Sequence, residues 1–176
     1  MRSYLLRCEL KTPSSIEKTF SLFEDPRNLA RITPPWLGFH IRTADVQMKR
    51  GALIDYTIRW LGLPLRWRTL ITDYTPPHRF VDVQLKGPYT LWRHLHMFHE
   101  TPTGTVVTDE VRYVLPLGPF GQIAHGALVS RQLLEIFVYR QRSMAELLGG
   151  AIDVSPPRIV RAQPISRRQA AAFRYS

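Results

Sequence analysis

Two histidines stand two residues apart near the middle of the chain, next to a tryptophan. The segment reads Trp92-x-His94-x-His96. Alternate side chains of a β-strand point to the same face, so on a strand all three would line one surface. This spacing aims both imidazoles the same way, as a metal site requires, but the sequence fixes no third ligand. We therefore predict no metal and no cofactor, and keep metal binding through the two histidines as an alternative.

Further polar side chains lie on the strands predicted before and after the histidines. Asp82 and Gln84 share one face of the preceding strand. Asp109 and Tyr113 lie on the following strand, where they can pair with the histidine strand. Polar and aromatic groups therefore alternate on what is predicted to be one face of a sheet.

The register of the hairpin that joins the last two of these strands decides which side chains meet. If the turn at residues 101–104 has an even length, His96 faces Asp109. An odd loop shifts the pairing by one residue and sets His94 opposite Glu110. In a dry pocket the carboxylate would favour a charged imidazole and burial would oppose it, which gives a group able to switch near neutral pH.

These residues have three interpretations. They could form a buried polar network that fixes strand pairing, they could orient a ligand in an apolar cavity, or the two histidines could bind a metal. We adopt the second, and the predicted ligand contacts are Trp36, Asp82, Gln84, Trp92, His94, His96, Asp109, Tyr113 and Phe137. If the protein is an enzyme, His96 and Asp109 are the candidates for moving protons.

The tryptophans outside this strand also suggest a ligand pocket, because indoles often line pockets. Trp36 follows two prolines in a predicted loop, where it could gate an entrance or anchor the loop on the core. Trp60 and Trp67 are interpreted as core residues.

The elements that must position these side chains follow one another in a simple order. Ser3 to Leu10 alternates in polarity as a half-buried strand does, and residues 12–35 contain the start and stop signals of two short helices. Gly and Pro turn signals divide residues 39–115 into about six strands. Apolar residues then recur every three or four positions from Phe120 to Leu148, which predicts one long helix. The side chains expected to close the cavity from this helix are Ile123, Leu134, Phe137 and Met144.

This order cannot form βαβ crossovers, so the sheet must bury one face against the last helix. Gly62 and the Gly87-Pro88 pair interrupt long strands and favour a strongly curved sheet over a flat two-layer sandwich. We predict an α+β fold in which a curved antiparallel sheet of about seven strands surrounds the long C-terminal helix and leaves a pocket between them.

Short motifs along the chain also carry a family resemblance. They are Phe23 with Arg27-Asn28-Leu29, Thr33-Pro34-Pro35-Trp36, Pro76-Pro77-x-Arg79-Phe80-x-Asp82-x-Gln84-x-x-Gly87-Pro88, Trp92-x-His94-x-His96 and Asp109-x-Val111-x-Tyr113. Over residues 1–148 the chain resembles the birch-pollen-allergen and START-like superfamily, also called the SRPBCC or polyketide cyclase/dehydrase group, and within it an uncharacterised bacterial subgroup. The resemblance implies the helix-grip fold. The superfamily includes lipid binders, coenzyme Q binders, polyketide cyclases and ring-hydroxylating oxygenase domains, so the resemblance implies the fold more firmly than any activity.

Composition and length indicate one globular domain. The chain has 176 residues, of which 44% are apolar and 22% are charged, and we place the START-like domain at residues 1–149. Cys8 is the single cysteine, so no intramolecular disulfide can form, and we interpret it as a small buried apolar residue. The N-terminus lacks the apolar run of a secretory signal, so we expect a soluble, cytoplasmic protein.

Much of the net charge of +10 lies near the C-terminus. Residues 150–176 contain five arginines (158, 161, 167, 168 and 174) and a single acidic residue, Asp153. We predict that this basic, proline-containing segment is a flexible extension without a core of its own. A weak contact with an anionic membrane surface or RNA is the alternative to a simple solvated terminus, whereas the domain itself is expected to bind no nucleic acid. The sequence leaves the oligomeric state open.

These observations together predict a binding protein for a small apolar molecule or lipid, ring-containing or acyl, that carries one or two polar groups. The enzyme alternative is a polyketide cyclase or dehydratase that uses His96 and Asp109 as an acid–base pair. A third alternative is a carrier that the basic tail tethers to lipid or RNA.

Overall fold

The structure is a computed structural model that describes residues 1–43, 46–60 and 62–173, without the side chains of Ala124 and Ala127. Its strands are β1 (Ser3–Thr12), β2 (His40–Ile41), β3 (Leu53–Trp60), β4 (Leu63–Thr75), β5 (Arg79–Lys86), β6 (Leu91–Thr101), β7 (Gly104–Val114) and β8 (Asp153–Ala162). Its α-helices are α1 (Ile16–Glu24), α2 (Gly118–Ala124), α3 (Ser130–Leu147) and α4 (Arg167–Ala172). Short 3₁₀ helices span Pro26–Ala30 and Pro35–Leu37, and a π-helical turn spans His125–Val129.

All eight strands form one antiparallel sheet in the order β2-β3-β4-β5-β6-β7-β1-β8. The predicted meander of six strands is confirmed as β2 to β7. The first strand closes it by pairing with β7, and the final long helix packs on one face. The α+β fold with a curved antiparallel sheet is therefore confirmed, with one strand more than the seven predicted.

The curvature has a different local cause from the predicted one. Gly62 lies in the turn between β3 and β4 at a φ of +80°, where it ends a strand and does not bend one. The pairing of β4 with β5 instead shifts register between Arg68 and Thr69 and again between Ile71 and Asp73. Such irregularities bend a strand and increase its local twist, so two of them in one strand pair curve the sheet around the helix.

The first predicted short helix is α1, and the second is the 3₁₀ helix Pro26–Ala30. The Ser15 side chain caps α1 by accepting a hydrogen bond from the Lys18 backbone N–H at 3.3 Å. Phe20 and Phe23 then pack edge-on against Phe98 of β6, with ring centroids 5.2 and 4.9 Å apart. Among the helices that the structure describes, none combines the length and the apolar character needed to cross a bilayer.

The predicted single helix from Phe120 to Leu148 is interrupted by the π-helical turn. A π turn holds one residue more than an α-helical turn, so the apolar stripe before it does not continue on the same face after it. Ile123 is 69% exposed, and the prediction that it closes the cavity is wrong for this reason. Leu134 is half-buried but does not line the cavity, and Leu133 takes that position.

The prediction that residues 150–176 form a flexible extension is wrong for most of this segment. Residues of β8 pair with β1 along the edge of the sheet, and Gln141 donates hydrogen bonds of 2.9 Å to the carbonyls of Glu9 and Ser155, one on each strand. Ile165 and Ala170 then bury an apolar cluster with Leu91, Val114 and the partly buried Phe173. This strand was not predicted because an edge strand buries few side chains, so it lacks a clear apolar alternation, and because it tolerates proline. Arg174 lies outside the described residues.

Removal of residues 150–176 is expected to destabilise the protein. The truncated chain would expose the backbone edge of β1 together with Leu91 and Val114, so we expect a lower urea midpoint and self-association through the open edge. Urea unfolding and size-exclusion chromatography measure the two effects. The matched control is the full chain with Arg158→Gln and Arg161→Gln, which loses charge but keeps β8 and should behave as wild type. An unchanged midpoint in the truncated chain would show that β8 contributes nothing to stability.

Candidate functional site

A cavity of about 180 Å³ lies between the sheet and α3. Strands β3 to β6 form one side, α3 forms the other, and the segment from α1 to β2 covers one end. Most of the lining is apolar or aromatic, as is typical of small-molecule sites. The lining residues are Leu22, Phe23, Asp25, Pro26, Leu29, Ile32, Thr33, Leu37, Phe39, Met48, Ile54, Tyr56, Ile58, Trp67, Thr69, Ile71, Phe80, Asp82, Trp92, His94, His96, Leu133, Ile136, Phe137 and Arg140.

Asp82, His94 and His96 form one polar patch in this lining, which we call the polar wall. Asp82 of β5 pairs directly with His94 of β6. His96 pairs with Phe80 two residues further along and therefore lies on the same face. Asp82 Oδ2 lies 3.0 Å from His96 Nε2 and 3.6 Å from His94 Nδ1. The carboxylate and the two imidazoles are therefore within direct contact at the surface of the cavity.

Asp109 lies behind the two imidazoles, away from the cavity. Its Oδ1 atom is 3.0 Å from His94 Nε2 and 2.7 Å from His96 Nδ1, although the second contact lacks the alignment of a hydrogen bond. Arg140 of α3 reaches its other oxygen, with Nε 3.3 Å from Oδ2. The pairing of His96 with Asp109 confirms the even-length hairpin register. One carboxylate thus contacts both histidines and an arginine from the opposite layer.

Burial and charge act in opposite directions on these groups. Burial alone would raise the pKa of Asp109, but the Arg140 guanidinium and the two imidazoles outweigh it and hold that pKa well below its usual value. Burial lowers the pKa of His94, and the neighbouring His96 lowers it further. Burial also opposes the charged form of His96, but Asp109 and Asp82 together outweigh it and raise its pKa. The two adjacent histidines therefore differ in their affinity for a proton.

Aromatic rings hold both imidazoles in place. Phe80 stacks on His96 with a centroid distance of 4.1 Å, and Phe23 meets the same ring edge-on at 5.8 Å. Phe137 of α3 packs edge-on against His94 at 5.6 Å. Because these contacts come from α1, β5 and α3, the orientation of the polar wall depends on the packing of the helices onto the sheet.

Of the predicted ligand contacts, the structure brings Asp82, Trp92, His94, His96 and Phe137 to the cavity. Asp109 is close by but does not line it. The three remaining predicted contacts lie elsewhere.

Gln84 of β5 is one of these three, and its side chain bonds to the loop that follows the strand. Its amide donates to the Tyr89 carbonyl at 2.7 Å and accepts from the Tyr89 N–H at 3.3 Å. A Cβ at position 87 would overlap the Gln84 side chain, so Gly87 is required for this close approach. Gln84 therefore fixes the link between β5 and β6.

Tyr113 and Trp36 are the other two. The Tyr113 hydroxyl lies 2.8 Å from His125 Nε2, and the His125 ring stacks on Tyr4 at 3.7 Å, so these side chains attach the π turn to β1 and β7. Trp36 is 50% exposed and does not line the cavity, whereas its neighbour Leu37 is buried and does. The loop thus contributes to the cavity through its leucine.

The sequence analysis did not identify Arg140 or the position of Trp67 in the cavity lining. The signal for Arg140 was present, because it stands three residues after Phe137 and four before Met144 on the apolar stripe of α3. A charged residue on a buried stripe indicates a buried partner, and here that partner is Asp109. Trp67 was interpreted as core, and it is buried, but it also lines the cavity.

No family model matches the chain, and no curated protein matches it. Solved structures do match. The protein TTHA0849 from Thermus thermophilus is 18% identical, with a TM-score of 0.62 over 82% of this chain and 96% of that one. The protein SA2116 of unknown function from Staphylococcus aureus is 11% identical, with a TM-score of 0.64 over 84% and 95% of the two chains. For Ara h 8.0201 the identity is 13% and the TM-score 0.57, over 82% and 99%.

The chain has a helix-grip fold. At these identities the similarity shows the fold and leaves the activity open. The match extends over most of each of these structures.

Arg140→Met is expected to destabilise the protein by about 3 kcal/mol, because it leaves the Asp109 charge buried with less compensation. Urea unfolding measures the change. The control is Arg142→Met on the exposed face of the same helix, with an expected change below about 0.5 kcal/mol. Adding Asp109→Asn to Arg140→Met should recover part of the lost stability by removing the charge. Equal stability of the Arg140 and Arg142 variants would contradict this account of Asp109.

Proposed function

We propose that the protein binds one small apolar molecule, with a single ring or a short acyl chain and one polar group, in the cavity between the sheet and α3. The observation that carries the proposal is the distribution of polarity. Apolar and aromatic side chains form most of the lining, and the polar wall occupies one side of it. Such a site takes up an apolar body by the hydrophobic effect and orients it through one polar end.

The size of the cavity limits the ligand. An apolar cavity of about 150 Å³ is large enough for benzene. The cavity here is about 180 Å³, so it accommodates one ring with a short substituent or an acyl chain of similar volume. Long-chain lipids require an opening of the helix-to-sheet interface, and the proposal does not include them.

An unsatisfied donor supports the presence of a polar atom on the ligand. Trp67 lines the cavity, and its buried indole N–H has no hydrogen-bond partner among the described residues. A buried donor without a partner costs free energy, which an acceptor atom on a ligand offsets. Trp67 also packs with Tyr56 at 5.8 Å and with Trp92 at 5.5 Å, so a flat apolar molecule meets an aromatic surface.

The enzyme alternative stays a prediction. Asp109 does not line the cavity, so any action of it on a bound molecule passes through the two imidazoles.

The tether alternative also stays a prediction. The side chains of Arg158, Arg161, Arg167 and Arg168 are exposed, but deletion of the tail removes β8 as well, so charge-removing substitutions are the appropriate test.

Matched ligands provide the test of the proposed function. Isothermal titration of the EDTA-treated protein with 4-ethylphenol and ethylbenzene compares two molecules that differ by one hydroxyl. We expect both to bind and 4-ethylphenol to bind about tenfold more tightly, because its hydroxyl donates to the Asp82 carboxylate. Asp82→Asn should reduce this preference and leave ethylbenzene binding unchanged.

A cavity-filling variant provides the control for location. Leu133→Trp places a larger side chain in the cavity and should abolish binding of both molecules, whereas Leu134→Trp, one position along α3 and outside the lining, should keep it. Circular dichroism checks that both variants fold. Binding that is absent in the wild type, or that persists in Leu133→Trp, would overturn the proposal.

A further inference from the structure

The three side chains of the polar wall bring potential metal-ligand atoms close together. Asp82, His94 and His96 each offer one ligand atom, and these three atoms all lie within 4.8 Å of one another. Asp82 comes from β5 and the histidines from β6, so the neighbouring strand supplies the third ligand that the His-x-His motif lacks in sequence. Both imidazoles are buried, which limits competition from water.

Asp109 determines which nitrogen of each imidazole faces Asp82. Its Oδ1 lies 3.0 Å from His94 Nε2 and 2.7 Å from His96 Nδ1, and an ionised carboxylate can only accept hydrogen bonds. His94 therefore donates from Nε2 to Asp109, whereas the aligned hydrogen bond of His96 runs from Nε2 to Asp82 Oδ2 at 3.0 Å. His94 Nδ1 then presents a lone pair toward Asp82, and His96 Nε2 presents one once a metal ion displaces its proton.

A proton on His96 or a metal ion can join the Asp82 carboxylate to the imidazoles. A hydrogen on His96 Nε2 would satisfy its contact with Asp82 but would leave His94 Nδ1 facing the same oxygen without a donor. A metal ion satisfies all three atoms together. We propose that Asp82, His94 and His96 bind a divalent first-row transition-metal ion of the Zn²⁺ or Fe²⁺ class.

The distances are near those of a metal site, and binding an ion requires a small inward movement of the imidazoles. Two ligands that are each about 2.1 Å from one ion, at angles of about 90–109°, are about 3.0–3.4 Å apart. The observed separations from Asp82 Oδ2 are 3.0 Å to His96 and 3.6 Å to His94. The 4.8 Å limit for the group means that the two imidazoles would have to approach by at most about 1.4 Å.

Asp109 and Arg140 fit the surroundings of a metal site. Histidines that bind metals almost always donate their other N–H to a carboxylate or carbonyl, which fixes the tautomer and the ring orientation. Here one carboxylate serves both rings, and Arg140 holds that carboxylate through its other oxygen. Asp109 is thus a positioning residue, and it acts on the ion through the two imidazoles.

The ligand set indicates the class of metal. Two imidazoles and one carboxylate suit zinc or ferrous iron, and they disfavour Mg²⁺ and Ca²⁺, which prefer oxygen ligands. Three protein ligands leave at least one coordination position, and because the polar wall lines the cavity, that position faces it. The ion would therefore be accessible to a small molecule in the cavity.

Titration of EDTA-treated protein with Zn²⁺, followed by isothermal calorimetry and by mass spectrometry under native conditions, tests the proposal. We expect one ion per chain, and Co²⁺ in its place should give a visible absorption band. Asp82→Asn, which keeps the size of the side chain, and His96→Ala should each weaken Zn²⁺ binding at least about 100-fold. Asp109→Asn should weaken it about 10- to 100-fold, because the imidazoles lose their orienting acceptor.

The matched control is His99→Ala, since His99 is exposed on the same strand and should leave Zn²⁺ binding unchanged. Circular dichroism confirms folding of each variant. Lack of stoichiometric binding by the wild type overturns the metal site, and so does binding that Asp82→Asn leaves intact. The ethylphenol titration contains EDTA and the Zn²⁺ titration contains no organic ligand, so failure of either proposal is recognised separately from failure of the other.

Discussion

The central constraint in this protein is the negative charge of Asp109, which is 1% exposed in the middle of the sheet. A buried carboxylate without partners costs several kcal/mol, so the fold must surround it with cations or hydrogen-bond donors. The hairpin register places His96 beside it, His94 lies on the same face two residues earlier, and α3 brings Arg140 across the core. Misplacement of any of these elements leaves the charge exposed to an apolar interior. The charge therefore couples the strand register to the position of the helix.

The cavity and its polar wall follow from the same arrangement. Because Asp109 holds the imidazoles from behind, their opposite edges face Asp82 and the space under α3. Phe80 and Phe137 fix the ring planes from two layers. The result is a polar surface, packed between aromatic rings, in an otherwise apolar lining.

Two features at the periphery cover this interior: the pairing of β8 with β1 and the contacts of the π turn. The strand β8 covers the backbone edge of β1, and Gln141 connects both strands to α3 where their register shifts. At the other end of the helix, the π turn presents His125 to Tyr4 and Tyr113. Unpaired strand edges tend to associate, so the C-terminal segment protects the sheet as well as completing it.

The sequence by itself determined the order of the elements up to the long helix, the six-stranded meander and the strand faces that carry Asp82, His94 and His96, whereas the hairpin register needed the structure. These depend on local periodicity and turn residues, which the chain carries in contiguous segments. Tertiary structure alone decided the pairing of β8, the interruption of the long helix, the exposure of Trp36 and the contact of Arg140 with Asp109. These depend on contacts between residues far apart in the chain. An edge strand, a charged residue on a helix and a loop tryptophan have the same local pattern whether or not a partner covers them.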